Sequence, residues 1–194
     1  MTKDLNTLLA EAREIERMIS EKIESKEAEF LYQVKDGLVV FENGVAEKHR
    51  KLRTHILRFL SESSFLTVLT APFIYSLIIP ALFMDLFVWT YQFFCFPVYQ
   101  ITKVNRGDYF AYDRKRLMYL NSVERFNCVY CSYFNGLISY VREVASRTEQ
   151  YWCPIRHALR VKGQHPRVRK FIPFGDAADY HRKLEVLRKE LARA

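Results

Sequence analysis

The spacing of hydrophobic and polar positions changes several times along the chain, and each change predicts a different element. Leu5, Leu8, Ala12, Ile15 and Ile19 recur three and four residues apart among Glu, Lys and Arg, the stripe of an amphipathic helix or short coiled coil over residues 1–30. Residues 31–44 turn to β-branched and aromatic types around Asp36-Gly37, with Asn43-Gly44 behind them, and predict a small β-hairpin. Helical character returns over 45–64, where His49, Arg50, Lys51, Arg53, His55 and Arg58 cluster. From Phe65 to Thr102 the only charge is Asp85.

That apolar stretch predicts a membrane-embedded helical hairpin over 65–104. The run up to Met84 matches the ~20 residues a spanning helix needs, and the run after Asp85 lies near the lower limit of ~17. An aspartate at the bilayer centre costs ~2.5–3.5 kcal/mol, which assigns Asp85 to a turn or a polar niche. Two geometries fit: two spanning helices, or a re-entrant hairpin kinked by Pro72, Pro80 and Pro97. In both, the cation-rich flanks lie on one side, and Lys103, Arg106, Arg114, Lys115 and Arg116 mark that side as cytoplasmic. Trp89, Tyr91 and Tyr99 suit interfacial anchors. The competing reading is that Phe65 to Thr102 is the buried helical hairpin of a soluble domain, but an apolar run of this length exceeds what a core helix normally needs.

The next region, 105–175, reads as a helical Cys/His domain. A long helix is expected from Asp113 to Gln150, with Leu117, Leu120, Phe126, Tyr130, Phe134, Leu137, Val141 and Val144 along one apolar face. Asn121, Glu124, Cys128, Cys131 and Asn135 fall on a second, polar face of the same helix. Gly136 marks a break or a close approach. After Trp152, Cys153 suits a cap and Pro154 a first helical position, so that a new helix would carry Cys153 and His157 on one face. A basic loop follows from Arg160 to Lys170. Over 176–194, Tyr180, Leu184, Leu187 and Leu191 form a last amphipathic stripe, expected to pair with the N-terminal one. The fold class is mainly α: a membrane hairpin, a helical cytoplasmic metal-binding domain and a small β-hairpin near the N-terminus.

Cys128-x-x-Cys131 and Cys153-Pro-x-x-His157 together supply three thiolates and one imidazole, a full tetrahedral set for structural zinc with no position left for water. The alternatives are an iron–sulfur cluster on the same four residues and a redox-active Cys128/Cys131 dithiol. Asn121, Glu124, Asn135, Glu149 and Trp152 are the expected supports around the ligands. Cys95, among phenylalanines, reads as a small hydrophobe. No Gly-rich phosphate loop, nucleophile elbow or His-Glu-x-x-His is present, so no catalytic residue is assigned and enzymatic activity stays open.

Composition narrows the classes. The 194 residues are 49% hydrophobic, which argues against disorder, and the formal net charge of +8 calls for an anionic partner. Because the cations gather at both ends of the apolar stretch and in Arg160 to Lys170, that partner is read as anionic lipid and not as a specific nucleic acid. Four cysteines, two of them in Cys-x-x-Cys, suit a reducing compartment, and no secretory h-region follows Met1. The blocks from Asn127 to Gly136 and from Arg147 to His157, with the proline-bearing apolar stretch before them, resemble a family of uncharacterised bacterial membrane proteins. The resemblance covers roughly the last two-thirds of the chain and implies no activity or cofactor. The expectation is a bacterial inner-membrane protein with cytoplasmic soluble parts, acting in interaction or assembly with a protein partner or a second copy through its terminal helices. The alternative is a membrane redox protein.

Overall fold

The computed structural model describes residues 5–27, 32–35, 38–42 and 44–192. The chain is mainly helical and divides into two units, residues 1–60 with 113–126, and residues 61–112 with 127–194.

In the first unit the N-terminal stripe forms α1 (Leu5–Glu27), and Tyr32–Lys35 (β1) pairs antiparallel with Leu38–Phe41 (β2). The register sets Lys35 opposite Leu38, which leaves two residues for the loop, as expected; the turn at Asp36-Gly37 and Asn43 lie outside the described residues. Gly44, at φ +86°, opens α2 (Val45–Lys51) in a left-handed conformation that costs glycine little. The expected basic helix over 45–64 is two helices, α2 and α3 (Ile56–Glu62). The His49 ring lies edge-on to both Phe41 and Tyr119. Leu8, Ile15, Ile19 and Ile23 of α1 are exposed.

The second unit departs from the expected hairpin. Its apolar stretch forms α4 (Phe65–Ser76) and α5 (Ile78–Val98), interrupted only at Leu77, and the helix runs straight through Asp85. The interruption has a local cause: Pro80 has no N–H for the Ser76 carbonyl, and its ring crowds that same carbonyl. The reversal comes instead at the end of α5. Gln100 takes a left-handed conformation at φ +56°, and the N–H groups of Gln100 and Ile101 reach back to the carbonyls of Pro97 and Phe96, a Schellman closure with buried Ile101 and Phe96 as its hydrophobic contact. A return segment, 101–112, irregular apart from a single 3-10 turn at Arg106–Tyr109, then runs back along α5, with Val104 bonded to Gln92 and Arg106 to Asp85.

The long helix α6 (Ser122–Trp152) starts later than expected because Asn121 and Glu124 stop it. The Asn121 side chain accepts from the N–H groups of Val123 and Glu124, while the Glu124 carboxylate accepts from the N–H of Asn121. This reciprocal cap fixes the first turn. Downstream, α6 runs parallel to α4 and α5, joined by Tyr75 to Asn127, Asp85 to Tyr133, Gln92 to Tyr140 and Tyr91 to Thr148. The core between them contains Ala81, Phe96, Leu137, Tyr140 and Val144, closed by Ile101 and Leu191. The last helix, α7 (Tyr180–Leu191), buries Leu184, Leu187 and Leu191. Thr102 donates to the Leu191 carbonyl and Gln150 to that of Leu187. The C-terminal stripe is thus buried within the second unit, with Leu191 in its core.

Gly136 is where the return segment touches α6. A Cβ there would stand 2.7 Å from the Tyr109 carbonyl oxygen and 2.8 Å from the Phe110 ring. The backbone oxygen cannot swing aside, so Gly136→Ala is expected to destabilise the second unit by about 1–3 kcal/mol, read as a lower denaturation midpoint in detergent. An unchanged midpoint would contradict this packing.

Candidate functional site

The four expected metal ligands do not converge. Cys128 and Cys131 occupy the second and third turns of α6, and Cys153 lies at its other end, its N–H still bonded to the Glu149 carbonyl. At 1.5 Å per residue, the 25-residue interval sets Cys128 about 37 Å from Cys153 along the axis, whereas thiolates on one zinc stand ~4 Å apart. Among the described residues, no group of three or more His, Cys, Asp or Glu is placed to hold a metal ion. The residues therefore do not fit one tetrahedral ion, zinc or cluster iron, within a single chain.

The second pair fails locally as well. Pro154 is fully buried and begins no helix; its carbonyl accepts from the Ile172 N–H while Arg156 N–H donates to the Ile172 carbonyl. Cys153 and His157 consequently share no helical face. The expected supports have other work. Asn121 and Glu124 form the cap, Asn135 donates to the Cys131 carbonyl, Glu149 pairs with His165 at 2.7 Å, and Trp152 packs edge-on to Tyr99. Cys131 and Cys153 are exposed, and Cys95 is half-buried in α5.

What the fold does assemble is a helix with its polarity turned inward. Among the described residues, Phe65–Val98 is long and apolar enough to cross a membrane, at 34 residues, yet only 6% of its most apolar window is buried. A core helix of a soluble domain would be mostly covered. The inward seam of α4 and α5 carries Tyr75, Asp85 and Gln92, all hydrogen-bonded to α6 or to the return segment. The outward side carries Phe73, Phe83, Phe87, Phe94 and Val98, each more than half exposed. Three exposed hydroxyls are satisfied internally: Thr70, Ser76 and Thr90 donate to carbonyls of their own helix. An exposed surface this apolar, with those three hydroxyls satisfied by their own helix, is adapted to a non-aqueous neighbour.

Asp85 lies mid-helix and not at a turn. Its carboxylate accepts from Arg106 through both oxygens, at 2.7 and 3.3 Å, and from the Tyr133 hydroxyl at 3.1 Å. Burial, reinforced by the Asp85 carboxylate, pushes the Tyr133 hydroxyl up to about 12, so it stays protonated and keeps donating. The aspartate ties return segment and α6 to α5, which is the polar niche the sequence left open.

A second polar cluster lies near the other end of α6. Glu143 accepts from Arg147 at 2.8 Å and from Arg167 at 2.6 Å, and Arg167 also donates to the buried Gln150. Burial would raise the Glu143 carboxyl, but the hydrogen bonds from Arg167 and Arg147 outweigh it and hold it below the usual range. A depressed folded-state value means that the stabilisation is complete above the unfolded value of about 4.3 and is lost as pH falls through the lower folded one. The stability gap between the natural chain and Glu143→Gln is therefore expected to be about 1.5–3 kcal/mol at neutral pH and to shrink in acid. A gap that widens in acid would refute the pairing.

No family model matches this chain, and no curated protein or solved structure is similar to it.

Proposed function

We propose that this protein is a membrane-associated interaction or assembly protein, anchored by α4 and α5 with its hydrophilic parts held at the bilayer surface. The observation that carries this reading is the exposed apolar face of a helix whose Asp85 and Gln92 point into the protein. Burying that face in lipid removes a large apolar area from water, at roughly 25 cal/mol per Å². The cations add about 1 kcal/mol each near an anionic surface. In a bacterium the cation-rich parts would face the cytoplasm. The exposed stripe of α1, with Leu8, Ile15, Ile19 and Ile23, is the surface left for a protein partner or a second copy.

Fractionation of cells expressing the full chain tests the anchoring. The protein should sediment with membranes, resist a carbonate wash and need detergent for release. Recovery in the soluble fraction, or release by carbonate, would refute an embedded helix.

A further inference from the structure

Resting on the membrane reading, we infer that α4 and α5 lie in the plane of one leaflet, as an interfacial anchor for an anionic bilayer, and do not cross it. The elements packed on α5 decide this. The return segment runs beside the middle and the C-terminal half of α5 and exposes Lys103, Asn105 and Asp108 to solvent. On the same inward side, the C-terminal half of α6 carries Arg142, Glu143, Arg147 and Glu149. Were α5 to cross the bilayer along its axis, these charges and the irregular backbone of the return segment would cross with it. Non-helical backbone is tolerated at that depth only where protein or water covers it.

Length points the same way. The 34 residues from Phe65 to Val98 extend about 51 Å, far beyond a hydrocarbon core of ~30 Å, yet apolar side chains are exposed along the entire run. Laid in plane, the helix has one side for acyl chains and the other for the protein, with no excess length to absorb.

Charge identifies the leaflet. On the return-segment edge of the apolar face, Trp89 stacks on Phe93 at 5.4 Å and the Lys103 ammonium lies 4.6 Å over the Phe93 ring. An amphipathic indole and an exposed cation along one border of an apolar face fit the level of lipid phosphates. The occupant is thus a bilayer containing anionic phospholipid.

Depth-dependent quenching tests the inference on the full chain. A single tryptophan is placed by Phe73→Trp, Phe83→Trp or Phe94→Trp in a Trp89→Phe, Trp152→Phe background, at positions exposed enough to tolerate the exchange, and the protein is added to phosphatidylcholine–phosphatidylglycerol vesicles brominated near the ester or near the chain end. Phe73 and Phe94 are about 31 Å apart along the helix, so a crossing helix carries them to opposite interfaces and Phe83 to the centre. In-plane insertion predicts the same shallow depth at all three sites, with shallow bromines quenching several-fold better. Deep quenching at Phe83 alone would overturn the in-plane inference and leave the anchoring intact. No quenching at any site, with the chain monomeric or paired face to face in buffer, would overturn the membrane reading itself. Trp89 retained alone, with Trp152→Phe, provides an independent check in a nearly natural chain and should show shallow quenching, stronger on anionic than on zwitterionic vesicles.

Discussion

Replacing Phe94 by Asp should lower partition of the full chain into anionic vesicles on the order of 10²- to 10³-fold, from about 3–4 kcal/mol of lost apolar burial plus the cost of a carboxylate at the lipid face. The residue is 64% exposed, so the fold loses little contact when the ring is removed, and the loss falls on membrane binding. Co-flotation with vesicles at equal protein and lipid gives the ratio directly, and circular dichroism in detergent shows that the helices persist. If partition stays within a few-fold of the natural chain, the outward face of α5 is not the one in lipid. Glu42→Gln, in the first unit, should leave partition unchanged.

The second large effect is on stability. Asp85→Ala removes the acceptor for both Arg106 and the Tyr133 hydroxyl, and its side chain is only 16% exposed. Breaking a fully buried pair costs 3–5 kcal/mol, but Arg106 is 42% exposed and can recover some hydration, so about 2–3 kcal/mol is expected here. Asp85→Asn should fall between, since the amide oxygen still accepts from Tyr133 while the charge is lost. Denaturation in detergent measures both. A change within about 0.5 kcal/mol, ordinary for a surface or turn position, would contradict the placement of Asp85 in the seam.

Asp85 has partners that its local sequence does not disclose. The cost of a lone carboxylate in lipid was legible, and so was the need for a turn or a niche. The choice between them depended on Arg106, 21 residues away, and on Tyr133, 48 residues away, partners that no local period reveals. The reversal was misplaced for a related reason. Gln100 closes α5 with a positive φ that glycine more often supplies, so nothing at that position advertised a C-cap. The start of α6 is different, because Asn121-x-x-Glu124 is a local capping signature that fixes the boundary although the apolar stripe continues upstream. The amphipathic terminal helices and the β-hairpin were legible because their periods are local. The Cys/His constellation misled because short spacings say how each pair can bite, not whether the pairs can meet. A continuous helix about 37 Å long between them forbids it. The inward polarity of α5 was visible only in part: Asp85 and Gln92 sit seven residues apart at helical spacing, but which side faces the protein follows from α6 and the return segment.

Flotation of the purified full chain, stripped of detergent, on phosphatidylcholine–phosphatidylglycerol vesicles tests the central claim most directly. An exposed apolar helix bordered by cations predicts that nearly all the protein floats with anionic vesicles, that less floats with zwitterionic ones, and that added salt weakens but does not abolish binding. A chain that stays soluble and monomeric without detergent and remains below the lipid would contradict it.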